Sequence, residues 1–144
     1  MIHQDTIKLL RECDAGIKMG VGSIQDVLDH VRHPEFRSAL TRCRDDHEAL
    51  QHRLQSALDR FGDEGKDPNP VARSMSWMKT NLKLNMDDSD RVIADLMTDG
   101  CDMGVKSLSR YLNQYKAADE DAKAIAGELI RMEAKLGEDI RPWL

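Results

Sequence analysis

The sequence predicts an all-α fold of four long helices, and two observations support this prediction. Apolar residues recur at alternating spacings of three and four along four stretches, which is the periodicity of helices that pack in a bundle. The composition agrees, because 33% of the residues are charged, 4% are aromatic and eight are methionine. Such a profile is typical of a helical protein with an aliphatic core. Since 144 residues is a single-domain length, we expect one domain over residues 1–144.

The first two predicted helices form an antiparallel hairpin. The first spans about 5–32, with Asp5 as its N-cap, and it ends before Pro34. The second spans about 35–61, with Pro34 in its first turn and Gly62 as its stop. The turn between them is short, so the two helices run in opposite directions.

A long connection over residues 62–88 separates the second and third helices. It begins with a loop rich in glycine and proline, residues 62–70, and continues into a short amphipathic helix over about 71–86. The third helix spans about 89–115, with Ser89 as its N-cap, and the fourth spans about 119–141. A connection of this length lets the third helix start at the opposite end of the bundle. We therefore expect up-down-down-up topology with one crossover.

A motif of the form G-x-x-M-G-V-x-S occurs twice, beginning at Gly16 and again 84 positions later at Gly100. The same shift relates Gly20 to Gly104. Glycine costs a helix roughly 1 kcal/mol relative to alanine, so glycines spaced one turn apart indicate close packing. We predict that these four glycines mark the crossing of the first and third helices, and that the two hairpins are related by internal duplication.

The chain resembles the ferritin-like superfamily. The two hairpins, the crossover and the repeated motif carry this resemblance. Three stretches are similar to a group of short bacterial ferritin-like proteins of uncharacterised activity: Trp77-Met78, Met86 to Asp90, and Met97 to Gly104. The resemblance implies a ferritin-like up-down-down-up four-helix bundle. It implies no activity.

The ligand pattern of the metal-binding members of this fold is missing. Those proteins use glutamates together with Glu-x-x-His motifs on facing helices. The residues three positions after Glu48, Glu128 and Glu133 are Gln, Arg and Leu. At the inward positions of the first and third helices we instead predict the core polar residues Asp14 and Thr98. A di-iron centre and its oxidative chemistry are therefore not expected.

A different metal site is the alternative. Cys43 and His47 lie one turn apart on the inward face of the second helix, and Cys101 is expected at the level of His47. Thiolate and imidazole groups suit a single transition metal such as zinc or iron. The simpler expectation has no cofactor. In that case both cysteines pack as small apolar residues, and His47 bonds to Thr98 or to a buried water.

Asp14 interrupts the apolar stripe of the first helix. A buried carboxylate is costly unless it is paired, and Arg53 on the second helix is the partner that we predict. A catalytic or ligand role for Asp14 is the alternative.

The crossover helix is the candidate interface. We predict that Trp77 and Leu84 form an exposed apolar strip through which two copies form a homodimer, since aromatic anchors are typical of interfaces. In the alternative, Trp77 covers one edge of the bundle.

Charge and hydropathy limit the classes of partner and compartment. The net charge of −5 argues against nucleic-acid binding, and no apolar run is long enough to span a membrane. No signal peptide is visible, and three cysteines without a C-x-x-C pair favour a cytoplasmic location. We expect a binding or structural protein rather than an enzyme. A metal-binding or redox protein is the alternative.

Overall fold

The structure is a computed structural model that describes residues 2–70, 73, 80–81, 83–84, 86–87 and 89–144. Over these residues the chain is all-α and contains no strand, which confirms the predicted fold class. The long helices are α1 (Ile2–Leu28), α2 (Pro34–Arg60), α3 (Asp90–Gln114) and α4 (Glu120–Asp139), and a 3-10 turn (Arg141–Trp143) follows. None of the described helices is both long and apolar enough to cross a membrane.

Side-chain caps fix the starts of three helices. The side chain of Ser89 accepts from the amide of Val92 at the start of α3, as predicted, and Asp119 does the same for Ala122 in α4. At α2 the cap is the ring of His33. The prediction of Asp5 as the cap of α1 is wrong, because the helix already begins at Ile2.

The helix ends show how the hairpins lie relative to each other. The carboxylate of Asp90, at the start of α3, accepts hydrogen bonds of 2.9 Å from the amides of Arg32 and His33 in the α1–α2 turn. The carboxylate of Asp5 accepts from the amide of Ala117 in the α3–α4 turn, at 3.0 Å. The start of α3 therefore lies at the α1–α2 turn, and the start of α1 lies at the α3–α4 turn.

The core has two halves, and each half contains residues from all four helices. The half near the α3–α4 turn includes Leu9, Leu10, Ile17, Leu54, Leu108, Ile125 and Leu129. The half near the α1–α2 turn includes Ile24, Val27, Phe36, Leu40, Ile93, Met97 and Leu136. The buried polar residues His47 and Glu133 lie between these halves along the sequence of α2 and α4.

Few residues of the crossover beyond position 70 are described. Arg73 donates to Asp26 of α1 at 2.9 Å. Leu84 is 8% exposed and belongs to the core half near the α1–α2 turn, so the prediction that it lies on an exposed strip is wrong. The physical reason is that its side chain packs inward against the bundle. Trp77 and most of the predicted helix 71–86 lie outside the described residues.

A buried polar centre as candidate functional site

His47 is the centre of the buried polar cluster. It lies on the inward face of α2 and is 1% exposed. Its Nδ1 lies 2.7 Å from the backbone carbonyl oxygen of Cys43, one turn earlier in the helix. Its Nε2 lies 3.0 Å from Oε1 of Glu133 on α4. Both ring nitrogens therefore have partners.

The positions of protons in this cluster follow from the chemistry of its acceptors. A carbonyl oxygen can only accept, so Nδ1 of His47 must carry a hydrogen. A hydrogen must also lie between Nε2 and Glu133, because two bare lone pairs would repel each other. Burial alone lowers the pKa of His47, but hydrogen bonds to Cys43 and Glu133 and the nearby carboxylate charge outweigh it and raise the pKa to about 10. At neutral pH His47 is thus an imidazolium that faces Glu133.

The two cysteines of this region adjoin the pair. Sγ of Cys43 lies 3.4 Å from Nδ1 of His47, and Cys101 lies within the electrostatic influence of Glu133. Burial, followed by the charge of Glu133, raises the pKa of the Cys101 thiol well above its ordinary value. Cys13, Cys43 and Cys101 are all free thiols. Cys101 is therefore held in its protonated, weakly nucleophilic form.

The structure does not arrange the predicted metal ligands as a metal site. It brings Cys43, His47 and Cys101 into one neighbourhood, as expected. However, no group of three or more His, Cys, Asp or Glu side chains within the described part of the chain could hold a metal ion. The physical reason is that a histidine ligand needs a free lone pair, whereas both nitrogens of His47 bear hydrogens directed at oxygen atoms.

The repeated glycines have a different role from the predicted one. A Cβ added to Gly20 would lie 3.0 Å from Nε2 of His47, and one added to Gly104 would lie 3.3 Å from Cδ of Glu133. These two glycines therefore make room for the charged side chains. Gly16 would meet only leucine side chains, at 3.6 Å or more, and Gly100 faces open space. The predicted helix crossing is wrong at Gly100, where an added Cβ would meet nothing within 4 Å, and at the other three glycines the nearest atoms belong to side chains rather than to the backbone of another helix.

Thr98 is not a core residue. It is half-buried, and its hydroxyl donates to the carbonyl oxygens of Ala94 at 2.9 Å and Asp95 at 3.0 Å. The hydroxyl is thus satisfied within its own helix. The bond to His47 that the sequence suggested is replaced by the bond from His47 to Glu133.

Asp14 is fully buried, but its partners are not the predicted Arg53. Its carboxylate accepts from the backbone amide of Lys66 at 3.0 Å and pairs with Lys18 at 2.9 Å. The side-chain amide of Gln51 also donates to it. Arg53 instead pairs with Glu128 and Asp121 on α4. Asp14 therefore anchors the crossover loop onto α1, and nothing in its contacts indicates a catalytic role.

Ion pairs extend this anchoring along the loop. Arg11 pairs with Asp63, and Lys18 bridges Asp14 and Asp67. A Cβ on Gly65, whose φ is +87°, would overlap the carboxylate of Asp14. The first part of the crossover is therefore fixed in contact with α1 by backbone and side-chain bonds together.

Glu133 is the residue of the centre that sequence reasoning missed. Met132 satisfies the three-and-four spacing between Leu129 and Leu136, so the sequence favours it as the inward residue at this level of the fourth helix. In the structure Glu133 is 9% exposed and Met132 is only half-buried. The one signal available was that a carboxylate at this position could pair with the inward-facing His47.

No protein-family model, curated protein or solved structure matches this chain.

Proposed function

We propose that this protein is a ferritin-like bundle that functions by binding a partner rather than by catalysis. The observation that carries the proposal is the closure of its polar centre. His47 is 1% exposed, and both of its ring nitrogens are used in hydrogen bonds inside the protein. A substrate or a metal would have to displace Glu133 before it could reach the imidazole.

The ferritin-like up-down-down-up topology is part of the proposal. It is supported by the bonds from Asp90 to the α1–α2 turn and from Asp5 to the α3–α4 turn, which put the starts of α1 and α3 at opposite ends. It is also supported by the position of Arg73, which the crossover brings to Asp26 in the last turns of α1. An up-and-down bundle would put α3 next to the end of α2.

The proposed mode of binding is a homodimer formed through the crossover. Exposed apolar surface supports it, because Met86 at the end of the crossover is 81% exposed. We expect sedimentation velocity at high micromolar concentration to show a dimer that Trp77→Ser converts to a monomer. Met103→Ser, which removes another exposed methionine on α3, serves as the matched control and should leave the dimer intact. A monomeric wild-type protein would contradict this part of the proposal.

The alternative, a metal-binding or redox protein, is supported by one contact, Sγ of Cys43 at 3.4 Å from His47. Dialysis against zinc, and anaerobically against ferrous iron, followed by elemental analysis separates the two candidates. Under our proposal the protein retains much less than one ion per chain. One retained ion per chain, lost in His47→Gln, would favour the alternative instead.

We also propose that the protein is bacterial and is located in the cytoplasm. The resemblance to bacterial proteins supports the source, and three free, buried thiols are consistent with a reducing compartment. Fractionation of cells that express the natural gene would test the location, and recovery of the protein from outside the cytoplasm would contradict it.

A further inference from the structure

The buried positions of the two hairpins correspond. The five buried positions of α3 lie 84 residues after buried positions of α1, and the six of α4 lie 86 residues after buried positions of α2. On α3 they are Ile93, Ala94, Met97, Cys101 and Leu108, and on α1 they are Leu9, Leu10, Cys13, Ile17 and Ile24. The two hairpins thus present equivalent inward faces to each other.

Within this correspondence, His47 and Glu133 occupy equivalent positions, since they are 86 residues apart. They also meet, with 3.0 Å between Nε2 and Oε1. Gly20 and Gly104 are equivalent as well, and each would contact the charged pair if it carried a Cβ. The centre of the bundle is therefore a place where equivalent residues of the two hairpins come together.

We propose that the His47–Glu133 pair makes the α1–α2 hairpin recognise the α3–α4 hairpin rather than a second copy of itself. Because equivalent positions meet, two α1–α2 hairpins would bury two imidazoles and two α3–α4 hairpins would bury two carboxyl groups, and in each pairing both groups could be charged only against a like charge. Buried like charges are strongly unfavourable. The pair thus acts as a specificity element between two otherwise similar surfaces.

The other buried contacts between α2 and α4 cannot provide the same discrimination, and the exposed ion pairs between these helices, such as Arg53–Glu128, are weakened by solvent. The remaining buried positions that correspond between α2 and α4 are all apolar or cysteine. Apolar contacts are non-directional, so a hairpin could bury them equally well against its own copy. A single opposite-charge pair changes this, because it is satisfied in only one of the pairings.

Charge reversal in the full-length chain tests the proposal. We expect His47→Glu and Glu133→His each to lower the folding equilibrium constant by about 100-fold or more, because each buries two like groups. The folding equilibrium constant of the double variant H47E/E133H should be at least about tenfold higher than that of the less stable single variant. The exchange is sterically reasonable, since Gly104 leaves space beside position 133 as Gly20 does beside position 47. Urea unfolding monitored by circular dichroism gives the constants.

The exposed pair Arg53–Glu128 is the matched control, because it joins the same two helices with side chains that are 43% and 41% exposed. Charge reversal at Arg53, at Glu128 or at both should change the folding equilibrium constant by less than about fivefold. If either single variant of the buried pair does not fold, folding of H47E/E133H is the readout, and rescue supports the proposal. The proposal would be overturned if the double variant were no more stable than the less stable single variant. It would also be overturned if either single variant were as stable as the wild type.

Discussion

Replacing Gly20 with alanine is expected to destabilise the protein, although alanine is the better helix former. The new methyl group would lie 3.0 Å from Nε2 and 3.2 Å from Cδ2 of His47, and 3.3 Å from Oε1 of Glu133. These distances are shorter than ordinary van der Waals contacts, so the imidazole would have to move. It cannot move freely, because it is hydrogen-bonded at both nitrogens.

The magnitude follows from two opposing effects. Alanine in a helix interior gains about 1 kcal/mol over glycine. Overpacking of a well-packed core typically costs about 1–3 kcal/mol. We therefore expect Gly20→Ala to lower the free energy of unfolding by about 1 kcal/mol, which corresponds to a Tm about 3 °C lower for a chain of this size.

The first glycine of each motif supplies the control. A Cβ at Gly100 meets nothing within 4 Å, and at Gly16 the nearest atom is a leucine methyl at 3.6 Å. Both substitutions to alanine should therefore stabilise the protein by about 0.5–1 kcal/mol. Gly104→Ala, with its nearest contact at 3.3 Å, should lie between these variants and Gly20→Ala.

Urea titration of the four alanine variants at pH 7 measures these differences directly. The order of stability should be Gly100→Ala and Gly16→Ala above the wild type, then Gly104→Ala, with Gly20→Ala lowest. If Gly20→Ala were as stabilising as Gly100→Ala, the buried pair would not occupy the space beside α1, and this account of the motif would be refuted.

Three further predictions follow from buried groups. The folded pKa of His47, about 10, lies above its unfolded value of 6.5, so its contribution is complete below pH 6.5 and declines as the pH rises toward 10. Between pH 6 and pH 8 the free energy of unfolding of the wild type should fall by about 2 kcal/mol more than that of His47→Gln. Urea titrations that give the same difference between wild type and variant at both pH values would contradict this. Asp14→Ala should lower the free energy of unfolding by about 3 kcal/mol, because it removes the buried acceptor shared by Lys66, Gln51 and Lys18. Asp67→Ala, which removes an exposed partner of the same Lys18, should cost less than about 1 kcal/mol, and equal losses would disprove the anchoring role. Burial, followed by the charges of Glu12 and Asp14, raises the pKa of the Cys13 thiol to about 12, and burial raises that of Cys101. Both should react with an aromatic disulfide reagent at pH 8 only as fast as the protein unfolds, and labelling within seconds in the native state would contradict this.

The helices were predictable because their apolar periodicity is strong and their boundaries carry local signals. Ser89 caps α3 and Gly62, with φ of +64°, follows α2, as the sequence indicated. Such signals depend on residues a few positions apart. Asp5 failed as a cap because the helix continues through it, and its carboxylate bonds to Ala117, 112 positions away.

The candidate site was only partly predictable, since its key pairings are distant in the sequence. Periodicity placed His47, Cys43 and Cys101 on inward faces, which the structure shows to be buried. It could not distinguish Glu133 from Met132, because both fit the spacing and a carboxylate is the less expected residue in a core. Only the opposite charge across the bundle makes Glu133 the better choice.

Asp14 shows a second limit on predicting side-chain partners from the sequence. The sequence indicated that a buried carboxylate needs a partner, and it does have several. One of them is the backbone amide of Lys66, 52 positions away in an irregular loop. Every residue except proline carries a backbone amide, so no residue type marks such a donor.

The division of the core into two halves has a consequence for local unfolding. Each half contains residues of α1, α2, α3 and α4, so neither half coincides with one hairpin. Detaching a hairpin would therefore expose apolar surface in both halves and separate Glu133 from His47 at the same time. Amide hydrogens in the middle of the four helices should exchange with solvent only through global unfolding, and they should share one opening free energy at both ends of the bundle.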